Sequence, residues 1–308
     1  VAVTALAFSL LALMLAGPVP ALLARASWPL RAPRAAIVLW QSIAVAAVLS
    51  AFSAGLALAA RLLVPGPDGR PTSDVHSEVS ALGWPLWLIS VVTLAVTLLI
   101  GARLAASVAA VAIRTRRRRA HHRMVVDLVG ERRRELDDAR VLDVSEPLAY
   151  CLPGMRSRVV LSEGTIRTLT PVELTAILRH ERAHLRARHD LVLEAFIAVH
   201  TAFPRFVRSG SALSAVALLI EALADDVAVR TAGRGPLARA LVACASARTP
   251  AGALAVGGPT TVVRVRRLAG EPNSVGVSIG AYLAAAAVLV VPTIAVAVPW
   301  LTELSRLF

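Results

Sequence analysis

Residues 170–184 read Thr-Pro-Val-Glu-Leu-Thr-Ala-Ile-Leu-Arg-His-Glu-Arg-Ala-His. The first four announce a helix: Thr170 as N-cap, Pro171 at the first helical position, where its missing N–H costs nothing, and Glu173 three residues after the cap to complete a capping box. A helix begun there carries His180 and His184 one turn apart on one face, with Glu181 beside them. Two imidazoles at that spacing can reach a single Zn2+ ion, and Glu181 is then held next to the water that such an ion activates. The alternative is a helix bearing two solvated His on an Arg-rich surface.

A catalytic zinc site needs a third protein ligand and an open fourth position. A further helix is expected from about Ser211 to Thr231, ended by Gly233; it is apolar through Ala212–Ile220 and then reads Glu221-Ala222-Leu223-Ala224-Asp225-Asp226. A carboxylate directly after nine almost wholly apolar residues is expensive to bury alone, and a metal would compensate it. Glu221 is therefore the expected third ligand. Asp225, one turn on, is expected to orient a ligand imidazole by accepting its hydrogen bond; the alternative makes Asp225 or Asp226 an exposed helix end. Upstream of the motif, His121–Arg140 reads as a charged amphipathic helix near the membrane. Arg140–Val144, Leu148–Leu152 and Arg158–Ser162 read as short strands broken at Pro147 and at Pro153–Gly154. The last of these is a candidate edge strand for an extended substrate. Cys151 and Cys244 have no partner spaced for metal and are expected to be small core residues. Tyr150 and Arg230 are the nearest polar candidates for an oxyanion donor, with core packing or solvation equally able to explain them.

The rest of the chain sets where this domain sits. Its 308 residues are 56% hydrophobic and 17% charged, with a net charge of +13 and a mean hydropathy of +0.67. That combination excludes an ordinary soluble domain. Four stretches, at about 1–17, 35–60, 82–102 and 274–301, have the length a bilayer core demands. The first could instead be a signal peptide, but it lacks a basic n-region. Arg103 interrupts an apolar stretch that continues to Ile113 and is expected to snorkel to the interface. Pro292 and Pro299 are expected to kink the last span.

Basic loops are retained in the cytoplasm. Arg25, Arg31 and Arg34 mark the first connection as inner; Arg70 against Asp68, Asp74 and Glu78 marks the second as outer. Arg114 and Arg116 to Arg119 follow the third span, and Arg264, Arg266 and Arg267 precede the fourth, both on the inner face. The expected fold is an α-helical membrane protein with four transmembrane helices. A cytoplasmic α+β zincin-like domain, residues 114–273, is inserted between the third and fourth; the amino terminus and a short tail, residues 302–308, lie outside, and residues 1–113 form the membrane region. The domain holds 26 of the 33 basic residues, all of them Arg, and 16 of the 20 acids. No aromatic interleaving, helix-turn-helix or Cys/His finger accompanies that charge, so anionic membrane lipid is the expected partner and nucleic acid is not.

Taken together, these pieces resemble the integral-membrane zinc metallopeptidases of the β-lactam-sensor antirepressor (BlaR/MecR) type. The resemblance is carried by the spans around the domain, Ala149-Tyr150-Cys151-Leu152-Pro153-Gly154 running to Val159-Val160-Leu161-Ser162, the His180–His184 motif and the Glu221-to-Asp225 spacing. HtpX-type membrane proteases share the zinc motifs but distribute their spans differently. The resemblance implies peptide-bond hydrolysis with zinc on His180, His184 and Glu221, and Glu181 as general base. The substrate it implies is a protein or peptide, such as a transcriptional repressor. The alternatives are a quality-control membrane protease, and a non-hydrolytic transducer with a structural zinc site, against which the retention of Glu181 stands. Two departures matter. Only seven residues follow Leu301, where sensing members carry a penicillin-binding domain, so direct β-lactam sensing by this chain is not expected. The connection Leu62–Gly83 is too short for a folded sensor, leaving the signal to a partner protein or the bilayer. Further, His189 stands where relatives often place Asp, with Asp190 following.

Overall fold

The computed structural model describes residues 2–63, 74–136, 139–154, 156–202, 210–245, 254–255, 260–270, 273–294 and 298–305. In chain order the membrane part comprises α1 (Ala2–Ala16), α2 (Pro18–Arg25), α3 (Pro33–Ala59), α4 (Val75–Leu82) and α5 (Trp84–Val129). Then follow β1 (Glu131–Arg133), β2 (Ala139–Leu142), β3 (Ala149–Leu152), β4 (Arg158–Ser162), α6 (Glu163–Thr168), α7 (Pro171–Ala187), α8 (His189–Ala202), α9 (Gly210–Ala232) and α10 (Arg234–Ala243). β5 (Leu254–Ala255), α11 (Thr261–Ala269), α12 (Val275–Pro292) and α13 (Val298–Ser305) complete the chain.

Among the described residues, four helical stretches are long and apolar enough to cross a membrane: Val3–Arg25, Pro33–Leu62, Trp84–Val129 and Val275–Pro292. Their bounds differ from the sequence reading in instructive ways. α5 is one uninterrupted helix that carries the Arg114–Arg119 run and continues to Val129. The expected separate helix at His121–Arg140 is thus the end of α5 followed by β1, a 3-10 turn and β2. Arg has high helix propensity, so a run of such charges does not end the helix. Arg103 lies on an exposed face of α5. Gly55 packs on Thr97 and Phe52 on Gly101, an antiparallel register that sets Arg103 beside the body of α3. There its Nε donates to the carbonyl of Ala202 at 2.7 Å, in the last turn of α8, where carbonyls lack helical partners. α12 ends at Pro292, one of the two positions where a kink is expected, and Thr293 keeps helical φ and ψ beyond it. Asp68 and Arg70 of the second connection and residues 306–308 of the tail lie outside the described residues.

The sheet runs β1-β2-β4-β3-β5, with β2 parallel to β4 and the other pairs antiparallel. β4 is therefore interior, paired on both sides, and cannot take a substrate as an edge strand. The edges are β1 and β5, and the order escapes sequence reading because a strand's own pattern does not say which neighbours it pairs with. Ser162, at the end of β4, ties the layer together: its Oγ donates to Glu146 O at 2.6 Å, accepts from Leu148 N at 2.9 Å and caps α6 by accepting from Thr165 N at 3.1 Å. α7 packs against the sheet, with Ile177 and Leu178 of α7, Val159 and Leu161 of β4, Leu237 and Leu241 of α10 and Leu268 of α11 in one core. A second core joins the apolar half of α9 to the membrane part: Val216, Leu219 and Ile220 meet Ala36, Ile37 and Trp40 of α3 and Phe196 of α8.

Gly164, in the first turn of α6, lies where any Cβ would collide with the carbonyl of Ser145. Gly164→Ala must push backbone against backbone, so it is expected to destabilise the fold by about 1–3 kcal/mol, read as a lowered Tm of the detergent-solubilised protein.

Candidate metal centre

Local sequence positions the site. The capping box forms as the sequence implies: Thr170 Oγ1 accepts from Glu173 N, and the Glu173 carboxylate accepts from Thr170 N at 3.0 Å. α7 then presents His180 and His184 to α9, which lies across it and presents Glu221 and Asp225. His180 Nε2 and His184 Nε2 are 3.1 Å apart. Glu221 closes the triangle, with carboxylate oxygens 3.3 Å from His180 Nε2 and 3.5 Å from His184 Nε2. The three side chains form a cluster that could hold a metal ion. Ligands about 2.1 Å from a tetrahedral ion stand roughly 3.4 Å from one another, so the observed separations fit a four-coordinate ion on an N,N,O donor set.

Burial and charge make the same case. His180 and Glu181 are fully buried and His184 is 1% exposed, whereas the Glu221 side chain keeps 14%, so the site opens on its side. The Cys151 thiol lies against the Glu181 carboxylate, neither oxygen of which makes a hydrogen bond of good geometry among the described residues. Asp225 Oδ1 lies 3.1 Å from His180 Nδ1, the partner that fixes a ligand imidazole with its other nitrogen turned to the metal. One basic residue enters: Arg264 of α11, 1% exposed, forks onto Asp225 through Nε at 2.9 Å and Nη2 at 2.6 Å, and sets Nη1 2.9 Å from Glu221. Three buried carboxylates thus face one guanidinium, and a divalent cation would bring the sum to zero.

Without that cation protons move in. Burial alone would lower the His180 pKa, but the carboxylates of Asp225 and Glu221 hold it up at about 9. Burial pushes Glu181 up to about 7 and His184 down to about 3. Despite their own burial, Glu221 and Asp225 stay well below the usual carboxylate range, the former through His184, His180 and Arg264, the latter through Arg264 and His180.

The residues expected from sequence, His180, Glu181, His184, Glu221 and Asp225, are brought together. Tyr150 and Arg230 are not: Tyr150 is buried with its hydroxyl 2.8 Å from His122 Nε2, and Arg230 is exposed near the end of α9. Alternation along β3 turns Cys151, not Tyr150, towards the site. Two participants escaped sequence reading. Arg264 counted there only as a charge beside the fourth span, although its spacing from Thr261 and Leu268, both buried, puts it on the inward face of α11. His189, noted only as a departure, sets Nδ1 3.1 Å from Nδ1 of His184. Arg188, with φ of 52°, makes the left-handed turn that brings it there.

A family model for peptidase family M48 matches residues 114–271, just over half of the chain. No curated protein and no solved structure matches.

In the metal-free protein His180 holds its proton up to about pH 9, and metal must displace it. Metal affinity, measured by chelator competition, is therefore expected to rise by about tenfold per pH unit between pH 7 and 9. Asp225→Asn is expected to weaken binding by about 10–100-fold at pH 9, and by less at pH 7, because the loss of that carboxylate also weakens the hold of His180 on its competing proton.

Proposed function

The chain belongs to peptidase family M48, and from that premise we propose that it is a membrane-embedded zinc-dependent endopeptidase whose catalytic domain, residues 114–273, faces the cytoplasm. The observation that carries the reading is the cluster of His180, His184 and Glu221 at tetrahedral spacing beside a fully buried Glu181. Two imidazoles and a carboxylate suit zinc among the common divalent ions. When bound, the ion supplies Lewis acidity, polarising a carbonyl and acidifying water.

The chain's own residues do the rest. Glu181 takes the proton of the attacking water at a carboxylate oxygen and passes it to the leaving amine. Burial favours its protonated form, which helps the carboxylate accept that proton. Arg264 keeps Glu221 and Asp225 ionised, and Asp225 holds His180 as a neutral ligand with its Nδ1 proton shared. The substrate enters on the Glu221 side, the exposed one.

For the substrate, the resemblance to antirepressor peptidases supports a cytoplasmic regulator such as a transcriptional repressor, cleaved after a signal reaches the membrane helices. A second reading, quality control of membrane proteins, is favoured by the lie of α8 and α9. Their apolar halves run beside α3 and α5, with Ala198 and Ala202 accepting hydrogen bonds from Ser107 and Arg103 and Trp40 packed against Ile220. A site that takes Glu221 from α9 stands next to the lipid spans, within reach of a polypeptide still held in the bilayer.

Glu181→Ala is expected to retain stoichiometric zinc while losing cleavage by at least about a hundredfold, measured on membrane and cytosolic proteins of cells expressing either form. Soluble regulator fragments that appear only with the wild type support the first reading; fragments confined to membrane proteins support the second. Identical fragment patterns from wild type and variant would sink the peptidase reading.

A further inference from the structure

α5 and α8 run antiparallel and are tied at three levels by polar contacts in matching order. Arg103 Nε donates to Ala202 O at 2.7 Å and Ser107 Oγ to Ala198 O at 2.8 Å. Arg119 Nη1 lies 2.9 Å from Asp190 and 2.6 Å from Glu194. The last tie is the most enclosed, with Arg119 at 11%, Asp190 at 3% and Glu194 at 15% side-chain exposure. Asp190 directly follows His189, whose ring meets that of His184 edge-on with centroids 5.0 Å apart. A metal on Nε2 of His184 leaves Nδ1 to carry the proton, and His189 Nδ1, 3.1 Å away, is the acceptor for it.

We infer that Arg119 is a positioning residue of the metal centre: by clamping Asp190 and Glu194 it fixes the first turn of α8, and with it His189 against the metal ligand His184. Because α5 is a single helix from Trp84 to Val129, the element that crosses the apolar slab is the one that sets this ligand's support. Removing the guanidinium leaves two enclosed carboxylates one turn apart with their shared counter-charge gone and only the exposed Arg188, 3.8 Å from Asp190, beside them, so the start of α8 is no longer held to α5. The inference rests on the metal-centre reading above but not on the identity of any substrate.

The test uses the full chain in detergent, loaded with zinc, with release followed by a colorimetric chelator. Arg119→Gln is expected to speed zinc release by about 10–100-fold and to lower kcat at unchanged KM on an unfolded casein probe, with Arg119→Lys recovering most of both. His189→Ala is expected to do the same. In the double variant Arg119→Gln adds nothing further, since its effect passes through His189. Arg266→Gln, an exposed change on α11, serves as the control. Wild-type release from Arg119→Gln, or effects of the two changes that simply multiply, overturns the inference. A wild type that binds no zinc overturns it together with the function above. A wild type that binds zinc and cleaves nothing, but whose release rate responds to Arg119 and His189 as stated, removes the peptidase reading and leaves this one standing.

Discussion

Three carboxylates, Glu181, Glu221 and Asp225, are enclosed with a single guanidinium, and the architecture around them follows from that imbalance. Charges of one sign cannot share a dry space unless something neutralises them. Arg264 covers one unit and a divalent ion covers the other two. The His pair supplies the nitrogen ligands, and Asp225 spends its charge on holding one of them. Each acid therefore has a different counterpart, which is why they tolerate one another's company. Glu181 alone is left without a fixed counter-ion, and burial raises its pKa.

α9 lets this arrangement stand at the edge of the membrane part. Its first half is apolar and packs on α3 through Trp40; its second half carries the acids. The change of environment falls at Ile220 to Glu221, within one residue. Glu221 gains its low pKa from groups contributed by α7 and α11, so the polar half of α9 needs no water to be stable. The anchoring of the site to α3 and its chemistry thus come from one helix, and lengthening or shifting that helix would change both.

What sequence reading captured and missed divides along the same physical line. His180, His184 and the Glu221-to-Asp225 spacing are legible because helical periodicity is local: residues four apart share a face wherever the helix lies. The capping box at Thr170 is legible for the same reason. Sheet order is not, so β4 reads as an edge although it pairs with both β2 and β3. Nor is the destination of a long side chain. Arg119 and Arg264 look like boundary charges in the sequence, yet each is turned inward to particular carboxylates. A count of basic residues treats them as votes on topology, when their partners lie 71 and 39 residues away.

That all of the basic residues are Arg has a consequence at these inward positions. A buried ammonium readily gives up its proton when desolvated, whereas a guanidinium stays charged. Arg264, held beside Asp225 and Glu221, therefore remains a cation whether or not the cluster holds a metal, and the deficit of two charges persists in the metal-free protein. The protons that then settle on His180 and Glu181 are a makeshift for the ion. The planar fork also holds two carboxylates in fixed relation, which three freely rotating N–H donors do not. In this chain the permanence of the Arg charge fixes the deficit at two units, the charge that a divalent ion carries.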